Sequence, residues 1–230
     1  MKSGFIVLVL AAFVSTGAFA QMSAGGGYIL GGDAGGGVDM SIAGYGSVLK
    51  ETNTNFGGGT FGFFDAKYIE ASIAVWFGGG EVKISGDFVE EVYGIDTLTM
   101  KFDITSFNFS LLGKYPFAIG TNIILFPAAG IEYQRVISVK YKSGTSSVDA
   151  ENPEEFSALW FRFGGGIDYS ITKSIYLRFT GLYGVRLANK YEKDLEKDLN
   201  ALLNYADIPG SAEILLGHGP QVKVAVGFKF

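Results

Sequence analysis

The final ten residues of the chain alternate between apolar side chains and small or polar ones. The even-numbered positions from Val222 to Phe230 are all apolar, and the positions between them carry Gln, Lys, Ala or Gly. Successive side chains of a β-strand point to opposite faces of the sheet. The pattern therefore predicts a strand with one wholly apolar face, and that face ends in the aromatic ring of Phe230.

Seven earlier segments show a comparable alternation, so the pattern predicts eight strands in all. The predicted connections between them lie at about 34–55, 65–67, 85–96, 116–121, 142–155, 172–174 and 188–219. Three of these are short turns and four are long loops, and the two kinds alternate along the chain. That arrangement is typical of an antiparallel up-and-down barrel with all its long loops at one end.

Two predicted strands break the alternation. In strand four the apolar positions are even-numbered from Leu98 to Ile104 and odd-numbered from Phe107 to Leu111. If both sets face outward, one extra residue is needed between them, which predicts a β-bulge near Thr105 and Ser106. Pro127 lies inside strand five, and a second bulge is predicted there.

The first twenty residues have the pattern of a secretory signal peptide. Lys2 supplies a positive start, Phe5 to Val14 form an apolar core, and Ala18-Phe19-Ala20 provides a small-residue cleavage site. The apolar core is too short to cross a bilayer as a helix. The expected division is a signal peptide over residues 1–20 and one β-barrel domain over residues 21–230.

Composition supports a membrane-spanning barrel. The chain has 34 Gly, 15% aromatic residues and a mean hydropathy of +0.27, although no second long apolar run follows the signal peptide. Its apolar residues are therefore distributed in alternating positions, as transmembrane strands require. A formal charge of −5 gives no reason to expect nucleic acid as a partner, and the absence of Cys excludes disulfides and Cys metal sites.

The whole chain after residue 20 resembles the small eight-stranded outer-membrane barrels of the OmpX, OmpW and opacity-protein type. Lys114-Tyr115-Pro116-Phe117 and the segment from Phe126 to Tyr133 are similar to versions found in spirochaetes. The resemblance implies a bacterial outer-membrane location, with contacts to outer-membrane lipid. It also implies assembly by the barrel-assembly machinery, which would recognise the C-terminal strand with Phe228 and Phe230 as its signal.

The face opposite the apolar one collects charged residues, and we expect it to line the barrel lumen. The predicted polar network consists of Glu70, Lys101, Asp103, Glu132, Arg162, Asp168, Arg178, Arg186 and Lys223, with Lys229 near the chain end. Eight strands leave an interior about wide enough for side chains, so the favoured interpretation is a packed, charge-paired filling. A narrow path for small apolar solutes, as the OmpW resemblance implies, is the alternative.

The hairpin around residues 172–174 predicts which of these charges meet. Outward residues are odd-numbered on both of its strands, so a three-residue turn sets Asp168 opposite Arg178 and Trp160 opposite Arg186. Side chains directly opposite on one face are within contact distance, which predicts an ion pair in the first case and a cation–π contact in the second.

Two features of the last long loop are candidates for a functional site. The apolar residues of this loop, Tyr191, Leu195, Leu199, Leu202 and Leu203, recur at helical spacing among charged residues, which predicts a short amphipathic helix. Such a helix could cover the barrel mouth, dip into the outer leaflet or bind a host ligand, and covering the mouth is the favoured interpretation. The only His, His218, follows Ser211 and Glu213 but lacks the His-x-Ser spacing of outer-membrane deacylases.

The sequence thus predicts an all-β, non-enzymatic outer-membrane protein without cofactors. Its expected role is surface interaction or adhesion through the exposed loops, together with a structural role in the membrane. Passive transport of small hydrophobic solutes is the alternative function. Host molecules or small solutes are the expected ligands of the loops.

We predict that deletion of Phe230 abolishes efficient membrane insertion and leaves export to the periplasm intact, because this ring ends the apolar face of the last strand. Heat-modifiable mobility of the protein in outer-membrane fractions measures insertion. An unchanged amount of folded barrel from the deletion strain would contradict the prediction.

Overall fold

The computed structural model describes residues 22–143, 146–187 and 189–230, so the predicted signal peptide lies outside the described residues. Eleven strands dominate this part of the chain. They are β1 (Met22–Ile42), β2 (Gly46–Ala66), β3 (Ile69–Ser85), β4 (Thr97–Lys114), β5 (Phe117–Ile119), β6 (Ile123–Ser143), β7 (Ser146–Asp149), β8 (Ala158–Ser170), β9 (Ile175–Arg186), β10 (Gly210–Leu215) and β11 (His218–Lys229). Two helices, α1 (Asp87–Tyr93) and α2 (Lys190–Tyr205), and a 3-10 turn (Pro153–Phe156) lie in the connections.

Eight of the strands form a closed antiparallel ring. Its order is β1, β2, β3, β4, β6, β8, β9 and β11, and β11 pairs with β1 from Ser23↔Lys229 to Ala34↔His218. The three short strands extend this ring at its margins, where β5 and β7 pair with β6 and β10 pairs with β1. The predicted eight-stranded up-and-down barrel and the predicted helix in the last loop are confirmed. Within the described residues, no helix is long and apolar enough to span a bilayer.

A belt of exposed apolar side chains surrounds the barrel. It includes Ile73, Phe77, Phe109, Leu111, Ile131, Phe161, Phe163, Ile167, Phe179, Val222, Val224 and Phe228. About ten residues per strand, tilted near 45°, cover the roughly 25 Å height of an outer-membrane apolar band. The belt begins at the short turns and covers such a height. The exterior of the barrel at this level is therefore suited to lipid.

Several strands continue far beyond the belt. We call the end with the short turns and both chain termini the turn end, and the opposite end the loop end. β1 and β2 remain paired up to Ile42↔Gly46, so the predicted loop at 34–55 is wrong: most of it is a long hairpin. β3, β4 and β6 also extend past the belt at this end, and together these strands form a wall that stands outside the membrane.

The wall inverts the polarity of the two faces. Met100, Phe102 and Ile104 point inward, while Lys101 is exposed and Asp103 forms an exterior ion pair of 2.5 Å with Lys142. The predictions that Lys101 and Asp103 line the lumen, and that the even-numbered apolar residues face outward, are therefore wrong. Above the belt the exterior meets water, so on β3, β4 and β6 the polar side chains face out and the apolar ones pack inside.

The irregular positions of β4 and β6 have simpler causes than predicted. The register between them shifts at Thr105 and Ser106, but the extra residue is Ile137 on β6, so β4 keeps one phase throughout. Pro127 lies opposite Gly165 without a shift, so the bulge predicted there is wrong. Pro127 adjoins the place where β4 ends, and the loss of one backbone donor at that margin leaves the rest of the ladder intact.

The lower lumen is filled by aromatic rings. Phe61, Phe63 and Tyr176 are buried, and the Tyr176 hydroxyl lies 2.7 Å from Ser23 Oγ. The Tyr176 ring rests on Gly227 of the neighbouring strand, in the space that a Cβ there would occupy. Gly227 on the inward face of β11 therefore makes room for the Tyr176 ring of β9.

An ion cluster closes the lumen at the turn end. The side chain of Arg178 contacts Asp65, Glu70 and Asp168, each at 2.6 Å, and Lys114 also pairs with Asp65. Asp168 lies directly opposite Arg178, which confirms the predicted register of this hairpin and its predicted ion pair. Because two cations face three carboxylates, the cluster keeps one formal negative charge.

We predict that Arg178→Met destabilises the barrel by about 3–5 kcal/mol, because three buried carboxylates would then share a single Lys. Asp168→Asn should cost less, about 1–3 kcal/mol, because Arg178 keeps two carboxylate partners. Urea unfolding of the barrel in lipid vesicles measures both values. An equal or larger loss for Asp168→Asn would contradict this account of the cluster.

Candidate functional site

The middle of the lumen is blocked by a second polar network. Arg162 donates to Glu132 at 2.9 and 3.2 Å, and its guanidinium lies 3.9 Å from the centre of the Trp160 ring. Gln221 also donates to Glu132, and the Trp160 indole donates to Gln134 at 3.2 Å. These side chains are buried and their hydrogen bonds cross the lumen, so they form a floor across the barrel.

Seven of the nine residues proposed for the polar network lie inside the barrel. They are Glu70, Glu132, Arg162, Asp168, Arg178, Arg186 and Lys223. Lys223 donates to Ser72 at 3.3 Å and faces the Phe61 ring, and among the described residues it has no carboxylate within ion-pair distance. Lys229 is half-buried and donates to Ser170 at 2.9 Å. The interior charge is thus divided into separate clusters.

Arg186 joins the barrel to helix α2. Its guanidinium lies 3.2 Å from Asp33 and donates to Glu192 at 2.6 Å. Glu192 completes a capping box with Asn189, whose side chain accepts from the Glu192 backbone at 2.8 Å. Arg186 lies opposite Trp160, as the register predicts. Its guanidinium turns to these carboxylates instead, and Arg162 covers the Trp160 ring, so the predicted cation–π contact of Arg186 is wrong.

Helix α2 packs on the loop end through most of the predicted apolar stripe. Leu203 is buried and Leu195 and Leu199 are half-buried, whereas Leu202 is 59% exposed. Including Leu202 in the packed face was therefore wrong. Glu192 and Leu203 define the buried side, because the ion pair with Arg186 fixes the rotation of the first turn.

A cavity of about 330 Å³ lies between the floor and the loop segments. We call it the vestibule. Its apolar wall comes from β3, β4 and β6 and consists of Val82, Ile84, Met100, Phe102, Ile104, Val139 and Tyr141. Its polar wall includes Asp33, Glu51, Asn53, Asn55, Gln134 and Arg186, and Phe156, Asn189 and Tyr191 complete the lining. The rings of Phe156 and Tyr191 stack with centroids 5.0 Å apart.

Glu51 is the most unusual group of the vestibule. Its side chain is buried, and its one hydrogen bond comes from the Tyr191 hydroxyl at 3.3 Å. Burial raises the pKa of Glu51, and the hydrogen bond from Tyr191 and the more distant Arg186 oppose that shift without cancelling it. Burial and the nearby Glu51 charge raise the pKa of the Tyr191 phenol, so Tyr191 acts here as a neutral hydrogen-bond donor.

The sequence interpretation missed most of the polar wall because it assigned residues 34–55 to a loop. Glu51, Asn53 and Asn55 are odd-numbered, like the inward-facing Phe61 and Phe63 on the same strand. Extending that alternation backward would have identified them. Asp33 and Glu192 gave no comparable signal, since their positions depend on contacts between distant segments.

The His218 side chain belongs to the exposed surface. Its Nδ1 lies 2.6 Å from the Tyr183 hydroxyl, and the two rings stack. Ser211 and Glu213 pair with β1 further along β10. The described residues therefore place His218 with Tyr183 instead of in a catalytic arrangement, and the chemistry that the vestibule supports best is non-covalent binding.

No protein-family model and no curated protein matches the sequence. Solved structures similar to this chain include Neisserial surface protein A, at 12% identity and a TM-score of 0.40, covering 88% of this chain and 97% of the other. The outer membrane protein OprG from Pseudomonas aeruginosa matches at 12% identity and 0.45, covering 91% and 95%. Ail of Yersinia pestis matches at 10% identity and 0.38, covering 91% and 98%. Because these TM-scores are low, the assignment rests on the chain's own structure. Its closed ring and its apolar belt are those of a small β-barrel of the outer-membrane type.

Proposed function

We propose that this protein is a non-enzymatic surface protein of the outer membrane that binds a small amphipathic molecule in its vestibule. The observation that carries the proposal is a cavity of about 330 Å³ with one apolar and one polar wall, above the membrane belt. Ligand sites in proteins are concave, largely apolar and supplied with a few placed polar groups. The vestibule has this composition, and the loop end that holds it would face the cell exterior.

The arrangement of the loop segments supports binding at the surface. Phe156 comes from the connection after β7, and Tyr191 comes from the helix that Arg186 and Glu192 attach to the barrel. Together they contribute an aromatic side to the cavity. Binding of a ligand in this cavity would be a surface interaction through the loops, as the sequence predicts.

The interior below the vestibule favours retention over passage. Trp160, Arg162 and Glu132 cross the lumen, and the Arg178 cluster fills it again near the turn end. Passive transport of small hydrophobic solutes would need a route around both the floor and the Arg178 cluster. Small barrels of eight strands are commonly filled in this way.

Export and assembly belong to the same proposal. Residues 1–20 would direct secretion, and the barrel-assembly machinery would recognise the last strand with Phe228 and Phe230 as its signal. The exposed rings of these two residues, on the lipid-facing side of the barrel, support that assignment.

We predict that the barrel in lipid nanodiscs binds 4-phenylbutan-1-ol and that Ile104→Phe weakens this binding at least about tenfold, because the added ring occupies the apolar wall. The two Trp residues, Trp76 and Trp160, lie inside the barrel, so their fluorescence reports binding. Ile131→Phe is the matched control, since Ile131 lies on the lipid-facing exterior. Empty nanodiscs correct for partition of the probe into lipid.

In liposome swelling assays the same protein should give no uptake of the alcohol above that of protein-free liposomes. Equal affinity in wild type and Ile104→Phe would contradict binding in the vestibule. Fast, protein-dependent swelling would favour the transport alternative.

A further inference from the structure

The polar wall of the vestibule holds a buried carboxylate without a cation. Glu51 is 5% exposed, and among the described residues no Lys or Arg lies within ion-pair distance of it. Buried charges in proteins are normally paired, because an isolated charge loses its hydration without compensation. The described part of the protein therefore supplies no cation to balance the charge of Glu51.

Two further acceptors of the same wall are unsatisfied. Asp33 Oδ1 and Asn55 Oδ1 are buried and accept no hydrogen bond within the described structure. The Asp33 side chain is only 7% exposed, and its other oxygen faces Arg186. Both oxygens have almost no accessible surface, so a ligand in the vestibule would meet the carboxylate of Glu51.

Arg186 leaves no positive charge free for an anionic ligand. It faces Asp33 and donates to Glu192, so the cation of the wall is already shared between two carboxylates. Glu51 adds a further carboxylate to the lining without adding a cation. The local field therefore favours a positive group and disfavours a negative one.

The opposite side of the cavity suits the remainder of such a molecule. Phe156 and Tyr191 present a stacked pair of aromatic rings. Phe102 and Ile104 on β4 and Val139 on β6 offer an apolar surface next to them. One wall can thus hold a charged group with hydrogen-bond donors, while the other holds an apolar body.

We propose that the vestibule binds a primary organic ammonium, with the ammonium at Glu51 and an apolar body against β4 and β6. This inference rests on the proposed function, because it names the class of ligand for the same cavity. A primary ammonium carries one positive charge and three N–H donors, so it supplies both the cation and the hydrogen bonds that the Glu51 carboxylate lacks. A quaternary ammonium would supply the charge but no hydrogen bond.

The test compares three probes of the same shape in wild-type barrel in nanodiscs: 4-phenylbutylamine, 4-phenylbutan-1-ol and 4-phenylbutyrate. The amine should bind about 10- to 100-fold more tightly than the alcohol, and the carboxylate should bind most weakly. Glu51→Gln keeps the shape of the side chain and should remove most of the preference for the amine. Glu81→Gln is the matched control, because Glu81 pairs with Lys83 and does not line the vestibule.

A pH series adds a second measure. Burial raises the pKa of Glu51, so its carboxylate is charged above that pKa and is neutralised as the pH falls through it. Affinity for the amine should therefore decrease on acidification in wild type and remain flat in Glu51→Gln. The groups that face Glu51 are Tyr191 and Glu192 on α2, Tyr141 on β6 and Arg186 on β9, and the comparison with Glu51→Gln separates their contributions.

Equal binding of amine and alcohol, or an amine preference that persists in Glu51→Gln, would overturn the ammonium assignment and leave binding in the vestibule intact. Failure of all three probes to bind would overturn the proposed function, and the ammonium assignment with it.

Discussion

The fold depends on one constraint, that no backbone polar group can remain unpaired in the hydrocarbon of a membrane. Pairing of β1 with β11 meets it by leaving no open edge within the belt. Closure with eight strands then fixes the size of the interior, which side chains must fill. The ion cluster of Arg178 and the network of Arg162 follow from this confinement, because charges enclosed there are stable only when they are paired with one another.

The same constraint ends where the belt ends, and the candidate site begins there. Below that level the exterior is apolar and the interior holds aromatic rings and paired charges; above it, on β4, Lys101 and Asp103 face water while Phe102 and Ile104 face inward. The apolar and polar walls above the belt leave a cavity that can accommodate an amphipathic molecule, whereas the interior below it is filled by its own side chains. The protein thus separates membrane anchoring from binding along a single set of strands.

How much the sequence could predict follows from this division. Within the belt, alternation is decisive, and the pairing of Asp168 with Arg178 followed from the phase of two strands and a short turn. Above the belt the period persists, but the meaning of the faces reverses, so an apolar residue such as Ile104 was assigned to the wrong side. Glu51 was lost in a presumed loop because its strand is rich in Gly and polar residues. The partners of Arg186 could not be predicted, since Asp33 and Glu192 are distant in the chain and meet only after closure.

Arg186 shows how the two halves of the molecule are coupled. It is the last residue of β9, so its backbone belongs to the closed ring, while its guanidinium holds Glu192 in the first turn of α2. Glu192 also receives the Asn189 backbone N–H at 3.1 Å, which fixes where the helix starts. Tyr191 precedes Glu192 and contacts Glu51 across the cavity. The position of the aromatic side of the vestibule is therefore set by a charge pair at the barrel rim, and the geometry of binding depends on the same interior electrostatics that makes the barrel stable.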